Sequence, residues 1–316
     1  MRKLLRIAML LAITGALFGL ALPALAALSG IGHRWPDVMA QFTAPAFVLA
    51  LAFAVFLILV RKNLSAVGAV GVAALALLAV WPQWTTPMGA PQPDAKTVRL
   101  YSANVYYRNN DVAAIRRSIE AADADIVVLI ELGREPAARI DALLAGYPHR
   151  VSSLPVHHRS GLARSVIASR YPLERGPWAP PQLHALTAVV QSPIGPLNVV
   201  GVHLTRPWPF QFQWGQIKQV MALDTLVSKL TGPVVVAGDF NSVSSARIGR
   251  QVQTEIGLIP APGWPGTWPT ALPSALGVTI DQVWRSPDLA FVSRKLGAPT
   301  GSDHRPVVTE ITRAAR

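Results

Sequence analysis

The hydropathy pattern of the chain changes character near residue 81. Ahead of that point, residues 7–28, 42–60 and 64–81 are runs of Leu, Ala, Val and Ile that no charge interrupts. Each has about the 20 apolar residues needed to cross a hydrocarbon layer, which predicts three spanning helices. The first run has a rival reading as a secretory signal, because Arg2, Lys3 and Arg6 precede it and the small residues Ala24, Ala26 and Ala27 close it. Residues 82–94, PQWTTPMGAPQPD, are Pro-rich with no apolar period, which predicts a stiff, extended linker. A soluble domain is expected from about residue 95 to 316.

Within that domain the pattern alternates. Residues 98–105 and 125–132 read as strands with a helix over 111–122 between them, and β-rich runs follow at 165–171, 186–191 and 197–204, separated by Pro and Gly turns. Ile217, Val220, Met221, Leu223, Leu226, Val227 and Leu230 recur at helical spacing and predict a helix over 214–230. Further strands are expected at 234–238, 279–284, 290–293 and 306–311. Mixed strands with helices between them suggest an α+β sandwich, helices covering sheets.

Charge adds orientation. Arg2, Lys3 and Arg6 precede the first apolar run and Arg61 with Lys62 join the second to the third, whereas the segment 29–41 has one Arg offset by one Asp. Positive loops stay in the cytoplasm, so the soluble domain is expected on the extracytoplasmic side of the cell membrane, whether or not the first run is cleaved. The chain has no cysteine, which excludes disulfides and thiolate metal sites.

Polar residues punctuate the strand ends. Asn104 closes the first strand, Glu131 the second, His203 the run LNVVGVHL, and Asp239 with Asn241 the run VVVAGDFN. Asp281 opens TIDQVW, and Asp303 with His304 precede the last strand. One such residue is usually a turn-former. A carboxylate, amide or imidazole near one end of every expected core strand is hard to attribute to turns.

The pieces SANV, VVLIEL, SVIASRYPL, VVGVHL, VVVAGDFNS, TIDQVW and GSDHRPV, in this order over nearly all of residues 97–312, resemble the endonuclease/exonuclease/phosphatase superfamily. The resemblance implies a four-layer αββα sandwich with its site at one edge, and divalent-metal-dependent hydrolysis of a phosphate ester. Such chemistry needs a hard cation, Mg²⁺ or Mn²⁺, which favours carboxylate and amide oxygens. Glu131 is the leading metal ligand, and the resemblance puts Asn104 beside it and has Asp303 complete the acidic cluster. Asp239 and Asn241 flank Phe240, so on an extended strand they point the same way; in the family this pair orients or deprotonates the nucleophile. His304 and Asp281 are expected as a dyad, the carboxylate aiming the imidazole, with the general base left open between His304 and Asp239. His203 would stabilise phosphate charge or protonate the leaving group. Arg305 and Arg164 are candidates for phosphate binding, Arg305 with the alternative of bracing a loop. Tyr106 stands where apurinic-site nucleases carry an acid, which points away from abasic DNA.

The substrate is less legible. A net charge of +12 suits polyanions, nucleic acid among them. Three helices suit a hydrolase held over lipid-linked or cell-envelope phosphates better than a scavenging nuclease, and family members with this layout are associated with glycopeptide-antibiotic resistance. A phosphate-binding sensor without turnover is the non-enzymatic alternative, disfavoured because every expected site residue is present. The run RPWPFQFQW, with Trp208, Phe210, Phe212 and Trp214 alternating, reads either as one side of a buried extended segment or as an aromatic rim dipping into the lipid interface. No protein partner is expected.

Overall fold

The strand Ile126–Leu132 explains why the expected core strands read as unbroken apolar runs. Ile126, Val128 and Ile130 enter a core shared with Val199, Val235 and Ala237, while Val127, Leu129 and Leu132 enter a second core with Ile115, Ile119 and Leu144. Both faces of the strand are covered, so both alternating sets must be apolar.

The computed structural model describes residues 1–158, 161–207 and 212–315. One sheet orders β12 (Leu289–Leu296), β13 (Val307–Arg313), β1 (Val98–Asn104), β2 (Ile126–Leu132), β5 (Gly161–Ser169) and β3 (His149–Ser152), with β4 (Val156–His158) paired to β5. The other orders β10 (Ile259–Pro260), β11 (Asp281–Arg285), β9 (Val234–Asp239), β8 (Gly195–His203), β7 (Ala185–Ser192) and β6 (Leu173–Arg175). Val98, Leu100 and Ile167 from the first sheet meet Leu186, Leu197 and Val283 from the second in the central core. Helix α5 (Val112–Ala122), with the short α6 (Arg134–Ala138) and α7 (Ile140–Leu143), covers the outer face of the first sheet. Helix α8 (Gln213–Val227) covers the second, where Val220, Leu223 and Leu226 pack on Val200, Val202 and Val236. The result is the expected α+β sandwich, with helices outside two sheets.

Local chemistry sets the helix ends. The Asp111 carboxylate accepts from Ala114 N at 2.8 Å and caps α5, which then buries Ala114, Ile115, Ser118, Ile119 and Ala122 along one stripe. The short strands β3, β4, β6 and β10 are too brief for a period-2 pattern to register and were not foreseen.

At the N-terminus stand α1 (Arg2–Leu28), α2 (Arg34–Ala40), α3 (Thr43–Leu59) and α4 (Asn63–Trp84). Among the described residues two helices are long and apolar enough to cross a membrane, and α2 with α3, bent by 54°, would make a third if the pair is one span. Ala50 and Ala54 on α3 and Ala66, Ala69, Ala73 and Ala76 on α4 are buried, small residues that let helix backbones approach. Leu51, Phe56, Leu59, Leu64, Val67 and Leu78 point outward, as a lipid-facing surface requires.

Helix α4 runs past the end of its apolar run to Trp84, with Pro82 inside it. The Pro-rich stretch beyond is extended, but it lies along the domain instead of standing off as a spacer. Pro87 O accepts from the Arg285 guanidinium at 2.9 Å, Met88 O from Phe291 N at 2.8 Å, and Gln92 N donates to Arg313 O at 2.9 Å. Its carbonyls, which proline leaves free of internal partners, complete edges of the fold.

Arg285 is 2% exposed and also donates to Leu289 O, so it ties the linker to two strands. Arg285→Ala is expected to cost about 2–4 kcal/mol, because buried carbonyls lose their donor. Denaturant unfolding of the detergent-solubilised chain measures it, and a loss under about 0.5 kcal/mol, the range of a surface change, contradicts the bracing role.

Candidate functional site

Strand register places the polar ends side by side. Parallel pairing of β8 with β9 sets His203 opposite Asp239, and antiparallel pairing of β9 with β11 sets Asp239 opposite Asp281. Three chemistry-bearing residues therefore stand abreast on neighbouring strands of one sheet. From the other sheet, Asn104 closes β1 and Glu131 lies near the end of β2. The pairing of β2 with β5 shifts between Leu129 and Leu132, and Glu131 has φ +56°, so a bulge carries the acid. Bulges re-aim side chains in this way, and a left-handed φ at a non-glycine residue stores strain.

Asp239 sits where the two sheets meet and is 1% exposed. Asn104 Nδ2 donates to Asp239 Oδ2 at 3.0 Å and lies 3.3 Å from Glu131 Oε1, bracing the two carboxylates. Asn241, at φ +48°, donates its backbone N–H to Asp239 Oδ1 at 2.8 Å and its amide to Leu204 O at 2.9 Å. Gly238 has φ +144°, and a Cβ there would stand 2.0 Å from Val202 O, so only glycine lets β9 deliver Asp239 at this depth. His203 Nε2 lies 3.3 Å from Glu131 Oε1 and 3.8 Å from Asp239 Oδ2.

His304 faces this group from the turn before β13. Its Nδ1 is 2.9 Å and 3.1 Å from the two Asp281 oxygens, which leaves Nε2 directed elsewhere, 3.9 Å from Asp303 Oδ1. Ser302 Oγ holds the turn in place, donating to Asn104 O at 2.8 Å and accepting from His304 N at 3.1 Å. Burial on its own would lower the His304 imidazole, but the charge and hydrogen bond of Asp281, with Asp239 and Asp303 nearby, outweigh it and hold the pKa at about 10. Burial pushes the Asp239 carboxyl up to about 6, against the pull of the two imidazoles and the Asn241 N–H.

The predicted residues are thus largely brought together: Asn104, Glu131, His203, Asp239 and Asn241 are joined by hydrogen bonds and ion pairs, Asp281, His304 and Asp303 by others, and Asp239 lies within 4.8 Å of the Asp281–His304 pair. Two are not part of this group. The Arg305 guanidinium donates to Pro269 O at 2.9 Å, to Thr270 O at 3.1 Å and to Leu272 O, so the phosphate-binding expectation gives way to the loop-bracing one. Arg164 is exposed on β5 opposite Leu132, next to the Glu131 bulge, and among the described residues it makes no hydrogen bond or ion pair with the group. Trp208, Phe210 and Arg159 lie outside the described residues. Phe212 and Trp214 are 78% and 57% exposed, which removes the buried-segment reading for that half of the run.

Two contributors escaped the sequence. Trp268 Nε1 donates to Asp303 Oδ2 at 3.2 Å, from a Pro-rich loop with no periodic signal. Tyr107 N lies 3.3 Å from Glu131 Oε2, a backbone contact that residue type cannot reveal.

The residue types suit a hard divalent cation: Glu131 and Asp303 offer carboxylate oxygens and the chain has no thiolate, while the Asn104 amide turns its Nδ2 toward Glu131 and Asp239. Asp239, Asp281 and His304 also bring one ligand atom each within 4.8 Å of one another. His304 Nδ1 is already engaged by Asp281, so these three form a hydrogen-bonded dyad beside a carboxylate.

The profile of the endonuclease/exonuclease/phosphatase family matches residues 101–304. A crystal structure described as an endonuclease/exonuclease/phosphatase from Beutenbergia cavernae is 21% identical at TM-score 0.55, covering 70% of this chain and 72% of that one. One of the same description from Bacteroides vulgatus is 15% identical at TM-score 0.54, over 69% and 99%. Staphylococcus aureus beta toxin is 14% identical at TM-score 0.51, over 67% and 99%. At these identities the structures establish the fold alone. No curated protein matches the chain.

The dyad has a pH signature. A folded-state pKa raised to about 10 contributes stability that is complete below the unfolded value near 6.5 and lost as pH climbs through 10. The advantage of wild type over Asp281→Asn in thermal unfolding, measured in chelator, is therefore expected to be largest near pH 6 and to shrink toward pH 10. An advantage that grows with pH contradicts the ion pair.

Proposed function

The chain belongs to the endonuclease/exonuclease/phosphatase family, whose members hydrolyse phosphate esters, and we propose that it is a membrane-anchored, divalent-metal-dependent phosphoesterase acting outside the cytoplasm on a lipid-linked or cell-envelope phosphate. The observation that carries the chemistry is the buried Asp239 carboxylate, joined through Asn104 to Glu131 and flanked by His203 and the Asp281–His304 dyad. The observation that favours a membrane substrate is the position of the site against the apolar helices. Phe42, just ahead of α3, packs against a cluster of Val243, Ala246, Val278 and Ile280, close along the chain to Asn241 and Asp281, and Trp268, the donor to Asp303, packs against the same cluster.

In this reading Glu131 and Asp303, with Asn104 beside Glu131, would hold Mg²⁺ or Mn²⁺, which would supply charge neutralisation on the phosphoryl oxygens and a lowered pKa for water. Asp239, its carboxylate fixed by Asn104 and Asn241, takes the proton of the attacking water. The His304 imidazolium, aimed by Asp281, receives the phosphoryl oxygens. His203 donates a proton toward the leaving oxygen. The buried groups do this at low local dielectric, where fixed charges act most strongly on a developing charge.

Turnover of bis-p-nitrophenyl phosphate by the purified chain is expected to vanish in excess chelator and to return with Mg²⁺ or Mn²⁺. Glu131→Gln is expected to raise the metal concentration required by at least about tenfold, since an anionic oxygen ligand is lost. Asp239→Ala is expected to lower turnover by about 10³-fold or more with the fold retained. Full activity in chelator would overturn the metal assignment. Metal-dependent turnover on DNA with none on any lipid phosphate would overturn the substrate class alone.

A further inference from the structure

The end of the anchor nearest the domain is built into it by specific contacts. Asp37 of α2 accepts from Arg247 N at 2.7 Å and from the Gln213 amide, so one buried carboxylate holds the starts of α8 and of the helix Arg247–Gln251. Arg247 Nη1 donates to Gly32 O at 2.9 Å, and Gln83 near the end of α4 pairs with Gly263 through Nε2 at 3.1 Å and its carbonyl at 2.8 Å. The domain therefore has one orientation on its helices instead of swinging on a tether.

This docking gathers three exposed aromatics at the same place. Trp35 is 53% exposed on α2, and Phe212 and Trp214 are 78% and 57% exposed at the start of α8. The Arg34 guanidinium carbon lies 4.5 Å from the Trp35 ring centroid and 5.7 Å from that of Phe212. The Lys218 ammonium lies 5.6 Å from the Trp214 centroid. Large aromatic rings interleaved with cations are costly to leave in water and suit the boundary between acyl chains and phosphate headgroups.

Their height fits that boundary. Trp35 is about 12 Å along the helix axis from Thr43, the first residue of α3, at 1.5 Å per residue. Taking the start of α3 as the hydrocarbon boundary, the 54° bend puts Trp35 about 7 Å beyond it, within a headgroup layer roughly 5–8 Å thick. Gln213 fixes the start of α8 to α2, so Phe212 and Trp214 are held beside that level.

We infer that Trp35, Phe212 and Trp214, with Arg34 and Lys218 seated on their rings, form a lipid-contacting rim that dips into the headgroup layer on the domain's side of the bilayer. As a substrate-delivery device the rim rests on the phosphoesterase reading above; as a membrane contact it does not, and it is independent of which side of the membrane the domain occupies. The rim adjoins the site through a short path. On α8, two residues after Trp214, the Gln216 amide donates to Phe240 O at 2.9 Å and to Asn241 O at 3.1 Å, directly beside Asp239. A phosphate carried on a lipid would reach the site from the headgroup layer without leaving the membrane. The cations on the rim match the anionic phosphates of that layer.

The chain has no native cysteine, so single cysteines at 35, 212 and 214 can be spin-labelled in the full chain, with Glu120→Cys on exposed α5 as the aqueous reference. In nanodiscs of phosphatidylethanolamine and phosphatidylglycerol, the three rim labels are expected to collide more with oxygen and less with an aqueous nickel chelate than the label at 120. Rim labels with the accessibility of position 120 would overturn the proposal. Labels shielded from both reagents would also overturn it, since a protein surface would then cover the rim. In parallel, the double variant Phe212→Ser, Trp214→Ser is expected to keep its rate on bis-p-nitrophenyl phosphate within about twofold and to lose at least about fivefold on a bilayer-embedded phosphoester. Equal effects on both esters would sink the delivery role. A chain inert to every ester would sink the phosphoesterase reading while the collision data still decided the rim.

Discussion

A carboxylate that is almost wholly removed from water, Asp239, is the constraint around which the domain is arranged. Such a charge is tolerated only where hydrogen bonds and opposite charges replace the lost hydration. The first sheet supplies Asn104, the turn after β9 supplies Asn241, and the two imidazoles flank the carboxylate. Each comes from a different strand end, so the carboxylate is satisfied only when both sheets are in register. Gly238 follows from the same requirement, because no side chain fits where β9 passes Val202 O.

The fold was legible because its core strands are covered on both faces, and residues such as Val127 and Val128 must both be apolar although they point in opposite directions. The polar ends were legible for the complementary reason: an Asp or His closing a run of Val and Ile has no packing role. What stayed hidden was geometry without a residue-type signature. The Glu131 bulge depends on pairing with β5, the Trp268 contact depends on a loop returning to Asp303, and helix α2, seven residues long, is too short for periodicity. Arg305 shows the opposite failure. Its charge beside SDH suggested a ligand for phosphate, but the carbonyls of the loop 269–272 claim its donors.

The anchor is part of the same design. A linker rich in proline reads as a spacer, yet its carbonyls meet Arg285 and Phe291; Asp37, from the connection between the first two apolar runs, bonds to Arg247 N, and Phe42, which opens the second run, packs on the domain. Rigid attachment at several points fixes which edge of the sandwich faces the bilayer, which a flexible tether would not do. On this account membrane position and phosphate chemistry are joined at a single edge of the domain.

The central claim is that the strand-end cluster around Asp239 and Glu131 is a divalent-cation phosphoester site. Crystals of the full chain soaked in Mn²⁺ test it most directly through anomalous scattering. The account expects an ion within about 2.5 Å of a Glu131 carboxylate oxygen, lost in Glu131→Gln at the same concentration. An ion bound only at an exposed acid such as Asp123, or none at saturating Mn²⁺, would contradict it.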